Sequence, residues 1–417
     1  MDILQPIIGV ALMLSFAYLI SESRQTVAWK WVASGIAVQF VLALLLLKIP
    51  VLQHAFSFFN DVVLVLDTAT QAGTSFVFGY LGGGDLPFVE THPGASFILA
   101  FKALPIVLLM SALSALLYYW RVLPWVITVL SQLFIKTLRL GGALSFGAAA
   151  NVFLGMVESP LLLKPYLNKL SRGELFALMS CGMATVAGTV LLLYATILAP
   201  VVPDALGHII VASILSIPAA LTIARIVVPW HEQNDVAENK NVAFKSEHRS
   251  AMEALTTGTL SGVPLLINII ALLIVLVALV TLCNEILALF PSVYGEPLTL
   301  QRMLGWCFAP IAWLIGIPWS ETFTAGSLLG TKVILNEFIA YLNMAQLSEG
   351  ELSVRSTTIL TYALCGFANI GSLGIMIGGL TTLVPERKHE VIQLGAKTIV
   401  AGMMATLMTG AVVAILL

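Results

Sequence analysis

Charge is what this chain has least of. Of its 417 residues only 10% are Asp, Glu, Lys or Arg, and 59% are hydrophobic. Soluble globular proteins carry about 25% charged residues. A chain of this length cannot cover itself with so few polar side chains in water, so the solvent around most of it is lipid. It also lacks a basic excess, because 20 Lys+Arg stand against 22 Asp+Glu. Nothing is left over to grip a phosphate backbone, which argues against a nucleic-acid partner. Disorder is excluded by the apolar content. Cysteine is scarce: Cys181, Cys283, Cys307 and Cys365 lie in apolar stretches with no Cys-x-x-Cys spacing, which leaves no disulfide framework or zinc site to expect. The six histidines are scattered, and there is no His-Glu-x-x-His, serine–histidine or paired-aspartate constellation to make the chain an intramembrane enzyme.

What is present is long apolar runs. A membrane helix needs about 20 mostly apolar residues. Eight stretches qualify, near 4–21, 30–49, 96–119, 174–199, 206–229, 262–290, 356–383 and 393–417. The first has no basic n-region and no small-residue cleavage site, and so reads as a span rather than a signal peptide. Lys and Arg gather in the connections near 22–29, 120–139, 164–172, 230–260 and 385–392, for example Arg24, Arg121, Lys136, Arg139, Lys164, Lys169, Arg172, Lys240, Lys245, Arg249, Arg387 and Lys388. The segments 50–95, 200–205, 291–300 and 344–354 have none, but hold Asp61, Asp67, Asp85, Glu90, Asp204, Glu296, Glu349 and Glu351. By the positive-inside rule the basic set is cytoplasmic and both termini face outward, in an inner (cytoplasmic) membrane.

Two apolar regions do not read as simple spans. Residues 140–168 and 301–343 are each interrupted by polar, Pro or Gly residues, at Gly155, Glu158, Ser159 and Pro160, and at Gly316, Pro318, Ser320 and Glu321. Each is flanked by loops on one proposed side, as in a re-entrant hairpin, and broken backbone at membrane depth survives only in protein or beside a watery cavity. Residues 53–91 predict an interfacial helix followed by a Gly82–Gly84 turn, and 246–258 a surface helix.

The chain also echoes itself. Tyr166-Leu-Asn is followed by Leu170-Ser-Arg-Gly-Glu-Leu175, and Tyr341-Leu-Asn by Leu347-Ser-Glu-Gly-Glu-Leu352. Cys181-Gly-Met-Ala and Cys365-Gly-Phe-Ala follow the two copies. The order span, hairpin, span, span repeats with opposite loop charge, as in an inverted-repeat transporter. Ser171-x-x-Glu174 and Ser348-x-x-Glu351 both read as capping boxes. The organisation expected is therefore N-terminal spans and an interfacial helix over 1–95, repeat one over 96–229, a cytoplasmic loop and surface helix over 230–260, and repeat two over 261–417.

Few polar residues fall inside the apolar runs, which makes each informative. Glu158 stands at the first hairpin's break, where Ser159-Pro160 restarts a helix; it either contacts a ligand or caps the hairpin. Asn336-Glu337 interrupts the second hairpin. Glu337 either accepts two hydrogen bonds from a diol such as a ribose or is solvated near the outer interface. Gly366–Ser372 is rich in small residues, and either unwinds to expose carbonyls or packs helices closely. The same two readings hold for Thr185 and Thr189. Glu321 serves either as a hairpin-tip partner or as a structural group. Lys102, Lys164 and Lys332 have stems long enough to snorkel to an interface and are assigned no functional role.

Four motifs in order resemble the concentrative nucleoside transporter family: Asn151-x-x-x-Gly155-x-x-Glu158-Ser-Pro; Gly182-x-Ala-Thr-Val-Ala-Gly-Thr189; Asn336-Glu-Phe338; and Cys365-Gly-Phe-Ala-Asn-x-x-Ser372 followed by Val384-Pro-Glu-Arg387. The resemblance covers nearly everything from about residue 95 onward, and the short N-terminus is similar to bacterial members. It implies an all-α polytopic homotrimer in the lipid bilayer, each protomer with eight transmembrane helices, two opposed re-entrant hairpins and interfacial helices. It implies elevator-like alternating access, with a hairpin-bearing transport domain moving against a trimeric scaffold. The implied activity is nucleoside symport driven by Na+. Proton coupling through Glu158 or Glu337, or a passive facilitator, are the alternatives.

The resemblance assigns roles by position. Gly155, Met156, Val157 and Glu158 fall on the nucleobase side. Glu337, Asn369 and Ser372 match groups that hydrogen-bond the ribose, and Val190 and Phe367 line the pocket. Asn151, Leu154, Thr185 and Val186 match the sodium ligands, all oxygen donors; no other metal or cofactor is implied. One departure stands out. Where the family usually has Gln followed by Ser or Thr, this chain has Met156-Val157, which implies weaker polar readout of the base and broader or shifted selectivity.

Overall fold

The structure is a computed structural model that describes residues 3–89, 96–230, 249–293, 295, 297–348 and 350–417, with only the backbone described for 50–60 and 63. Glu90, Lys240, Lys245, Glu296, Glu349 and the start of the 246–258 segment lie outside the described residues. The chain enters through α1 (Leu4–Leu19), α2 (Trp29–Lys48) and α3 (Pro50–Phe78). α3 is longer than the interfacial helix expected: Pro50 starts it, and Gly79 at φ +61 ends it, a conformation that glycine adopts without strain.

The rest falls into two series of the same order. The first comprises α4 (Leu99–Lys102), α5 (Ile106–Tyr119), α6 (Val122–Leu138), α7 (Gly142–Ala150), α8 (Glu158–Leu162), α9 (Lys164–Leu167), α10 (Arg172–Ala184), α11 (Gly188–Leu198) and α12 (Ala205–Val227). The second comprises α13 (Ala251–Leu287), α14 (Leu300–Leu314), α15 (Thr322–Ile334), α16 (Glu337–Ala345), α17 (Val354–Leu364), α18 (Ile370–Leu383) and α19 (Lys388–Leu416). In each, two helices (α5 and α6, α13 and α14) lead into a hairpin (α7/α8 and α15/α16). A helix broken in its middle follows (α10/α11 and α17/α18), then a long one (α12 and α19).

Among the described residues six helical stretches are long and apolar enough to cross a membrane: Trp29–Lys48, Leu99–Tyr119, Arg172–Leu198, Ala205–Val227, Ala251–Leu287 and Pro385–Leu416. Leu4–Leu19 and Ile370–Leu383 are apolar but shorter. The core lies around α12, whose apolar window is 89% buried, whereas none of the α13 window is. α12 packs on α2, α10 and α19, while α13 packs along α5.

Three readings need correction. Residues 251–258 are not a separate surface helix but the first turns of α13, whose N-cap is Ser250 accepting from Glu253 N–H. Gly258 and Gly262 press α13 onto α5, where a Cβ on Gly258 would lie 2.6 Å from Ala115 Cβ. The break at Gly316–Glu321 separates α14 from α15, and the hairpin turn itself comes at Leu335–Asn336, where Asn336 is extended and N-caps α16 through Ile339 N–H. Finally, Ser348–Glu351 is only half a capping box. Glu351 accepts from Ser348 N–H, but Gly350 at φ +93 turns the chain and α17 starts from Ser353. Glu321 accepts from both the N–H and the hydroxyl of Ser353 at 3.1 Å, so its role is structural. The Ser171–Glu174 box is complete.

Candidate functional site

Both broken helices lose their ladder because their central residues are extended. Thr185, after α10, has φ −121 and ψ 172; Asn369, before α18, has φ −141 and ψ 168. The breaks meet. Phe367 N–H donates to Thr185 C=O at 3.1 Å, and Gly188 N–H donates to Phe153 C=O in hairpin one at 3.0 Å. Two glycines permit the approach: a Cβ on Gly188 would lie 2.4 Å from Phe153 O, and one on Gly366 would lie 2.9 Å from Ala184 O. Backbone groups freed by one break are thus satisfied by another.

Around this crossing the polar side chains form two groups. In the first, Glu337 is 3% exposed and Asn369 1%. Tyr194 Oη donates to Glu337 Oε1 at 2.6 Å, and Asn369 Nδ2 donates to Oε2 at 2.9 Å. Asn369 Oδ1 caps α18 by accepting from Ser372 N–H at 2.7 Å. A carboxylate with one donor on each oxygen still has lone pairs for two more. Ser372 is buried beside this pair on the first turn of α18, while Val190 is buried on α11 and Phe367 is partly buried in the break before α18.

The second group lies under hairpin one. Asn151 is fully buried, and its Nδ2 donates to Gly147 C=O at 3.0 Å. Its Oδ1 has no partner among the described residues. It faces α10, 3.5 Å from where a Gly182 Cβ would stand. Thr185 is buried and its hydroxyl donates to Cys181 C=O at 3.0 Å, leaving the oxygen's lone pairs free. Among the described residues no backbone N–H is bonded to the carbonyls of Leu154 or Val186. A buried amide oxygen without a donor, a hydroxyl with free lone pairs and unbonded carbonyls are all hard oxygen donors, the ligand type that hard cations take.

The base-side residues divide. Met156 is buried against Gly182, and Val157 sits over Gly379 of α18, whose Cβ would meet its methyls at 2.7 Å. The two apolar side chains thus wedge the hairpin tip between α10 and α18. Glu158 is exposed, with its carboxylate folded back over buried Gly155.

Sequence reasoning missed Tyr194 and misplaced Lys332. Tyr194 looks like one aromatic in an apolar run; its hydroxyl, which when buried needs a partner, was the available signal. Lys332 does not snorkel. It is fully buried, donating to Ala363 C=O at 2.9 Å and Thr406 Oγ1 at 2.8 Å. Lys164 is exposed, and Lys102 is partly buried with its ammonium 5.9 Å from the Phe97 ring centroid.

Comparison with known proteins matches this arrangement to one family. Residues 8–81 and 208–414 match the N- and C-terminal models of the Na+ dependent nucleoside transporters, and residues 100–201 match a nucleoside recognition (Gate) model. The putative nucleoside permease NupX of Escherichia coli is 32% identical over 99% of this chain and 98% of its own length. The chain belongs to the concentrative nucleoside transporter family. The nucleoside permease NupC of Helicobacter pylori is 32% identical over 97% of this chain and 96% of its own. Human solute carrier family 28 member 3 is 34% identical over 98% of this chain, which spans 59% of that longer transporter. Among solved transporters, CNTnw in an inward-facing substrate-bound state superposes with TM-score 0.90 at 34% identity, covering 100% of this chain and 98% of that one.

Proposed function

We propose that the chain imports nucleosides across the cytoplasmic membrane by symport with Na+. The Glu337–Asn369 pair takes the ribose hydroxyls, and Ser372 adds a third polar contact. Gly155, Met156, Val157 and Glu158 face the base, with Val190 and Phe367 lining the pocket. Asn151, Leu154, Thr185 and Val186 hold the ion. The observation that carries the ion's identity is the orphaned Asn151 Oδ1. A buried acceptor without a donor is costly, and a cation removes that cost without any proton being moved. Because Thr185 offers its hydroxyl oxygen at the cation site and its carbonyl to Phe367, ion binding stiffens the crossing that presents Asn369 to the nucleoside.

Both hairpins enter and leave the membrane by one face, in opposite senses, and carry the site between two aqueous sides as an elevator. The α5–α13 pair is the scaffold. α13 leaves Leu260, Val263, Ile267, Ile274 and Leu282 exposed, an apolar face that suits lipid and neighbouring protomers of a homotrimer. Three of the basic loops support the proposed orientation, since Arg172 pairs with Glu22 and Arg387 donates to the Leu167 and Leu170 carbonyls at one end of the molecule.

The deciding measurement is uridine uptake into proteoliposomes under an inward sodium gradient, against choline and against a pH gradient alone. Accumulation above equilibrium that requires sodium is expected. Full accumulation driven by protons without sodium rejects the ion assignment, and equilibration without accumulation indicates a facilitator.

A further inference from the structure

Lys332 belongs to neither polar group, yet it is a lysine with no exposed surface in the middle of the structure. Fully buried lysines are rare unless their charge is met. It sits on α15, five residues before Glu337 on the same hairpin. Its ammonium is met by the Ala363 carbonyl at 2.9 Å and the Thr406 hydroxyl at 2.8 Å, and Thr406 itself donates to Met403 C=O at 3.0 Å.

Neither partner is incidental. Ala363 is in the last turn of α17, which stops at Leu364. The closing carbonyls of a helix have no intrahelical donor, and at membrane depth water does not replace one. A cation there satisfies the carbonyl and complements the helix dipole. Thr406 projects from α19, and its methyl presses on Gly366, where a Cβ would lie 2.7 Å from Thr406 Cγ2. The ammonium therefore links the α17 end of the non-helical bridge to the α19 residue that packs on Gly366 within it. That bridge delivers Asn369 to Glu337 and Phe367 N–H to the Thr185 carbonyl.

We infer that Lys332 is a positioning residue of the transport site: by tethering hairpin two to the end of α17 and to α19, it fixes the Cys365–Asn369 bridge on which both the nucleoside pair and the Thr185 edge of the cation site depend. The inference rests on the nucleoside–sodium reading above. Loss of the tether loosens two binding sites at once while leaving the moving body intact. A lysine that only stabilised the fold would change protein yield and melting, not the two affinities together.

The cleanest probe is Thr406, which contacts neither ligand in this reading. Thr406→Val keeps the shape over Gly366 and removes the acceptor; Thr406→Ser keeps the acceptor. In proteoliposomes Thr406→Val is expected to raise the uridine KM and the sodium half-saturation together by about ten- to a hundredfold, the scale of one hydrogen bond to a charged group, with kcat within about twofold. Thr406→Ser is expected to stay near wild type in both. Lys332→Met shifts both constants further in the same direction, and should it fail to fold, the Thr406 pair decides. Unchanged affinities in Thr406→Val, or a loss of kcat and melting temperature at unchanged affinities, overturn the tether. If wild-type protein takes up no uridine, the nucleoside reading fails on its own; the tether is then read from the sodium-induced rise in melting temperature, which Thr406→Val must diminish.

Discussion

At the scale of single residues, the scarcity of charge makes a few candidates conspicuous. In so apolar a chain a polar side chain far from the loops needs a reason, and Asn151, Thr185, Glu337, Asn369 and Ser372 are all buried at the crossing of the broken helices. Glu337 is the most exacting of them. Glu337→Gln replaces one acceptor oxygen by a donor, so that either Tyr194 Oη or Asn369 Nδ2 faces an amide NH2. A buried donor left unpaired costs about 1–3 kcal/mol, and the nucleoside loses a charged acceptor besides. Uridine uptake by Glu337→Gln or Asn369→Ala is expected to fall about 100-fold or more while the protein still folds, melting somewhat lower; near-normal uptake in both removes the ribose assignment. Met156 and Val157 act oppositely, as apolar wedges over Gly182 and Gly379. Competition with uridine, cytidine, adenosine and guanosine is expected to show shallow discrimination, sharpened when Met156→Gln and Val157→Thr restore polar groups. Sharp preference in the wild type, lost on changing either residue, refutes this. Tyr194 and Lys332 stayed hidden because their partners are 143, 31 and 74 residues away along the chain, and only the fold brings them together.

At the scale of elements, the sequence announced breaks better than it ranked them. Gly316 and Pro318 are strong punctuation, and they do end α14. The turn that presents Glu337 contains neither Gly nor Pro; it is made by Leu335 at φ −100, ψ −94 and by the Asn336 cap. Asn followed by an acidic residue in the first turn is the signature of a helix start, and it was the available clue. The same holds after hairpin two, where the Ser348–Glu351 spacing looked like a cap but Ser353 performs the task. The two helix series, by contrast, share one order and carry related local motifs. The close crossing of the breaks yields a prediction of its own. Gly366→Ala places a Cβ 2.7 Å from Thr406 Cγ2 and 2.9 Å from Ala184 O, and the clash with the Ala184 backbone cannot be relieved by a rotamer change. The bridge must shift, so nucleoside and sodium affinities are both expected to fall about tenfold or more, with a destabilisation of about 1–3 kcal/mol. Isothermal titration and thermal melting of purified protein test this; Gly378→Ala, whose Cβ meets nothing within 4 Å, is the control.

At the scale of the whole molecule, the charges that composition made rare are concentrated where segments distant in sequence meet. Glu22, in the loop after α1, accepts from Arg172 Nε at 3.1 Å and Nη2 at 3.0 Å, and from Lys397 Nζ at 2.8 Å. Its backbone N–H also donates to Val227 C=O at 2.8 Å. One residue therefore joins the first helix to the start of α10, the end of α12 and the first half of α19. The Arg172 hydrogen bond, helped by Lys397 and opposed by desolvation, holds the Glu22 carboxyl below its usual range. Such a group stabilises the folded protein fully above the ordinary carboxylate pKa of about 4.3, and the contribution disappears as pH falls through the lower folded value. The partners are partly exposed, so the cluster contributes about 1 kcal/mol at most and salt weakens it. Glu22→Gln is accordingly expected to melt slightly below wild type at pH 7 and low salt. The gap should close toward pH 3 and shrink in about 1 M salt, where the Debye length is near 3 Å. A gap that persists unchanged in acid would show that Glu22 acts through its shape and backbone bond to Val227, not through its charge.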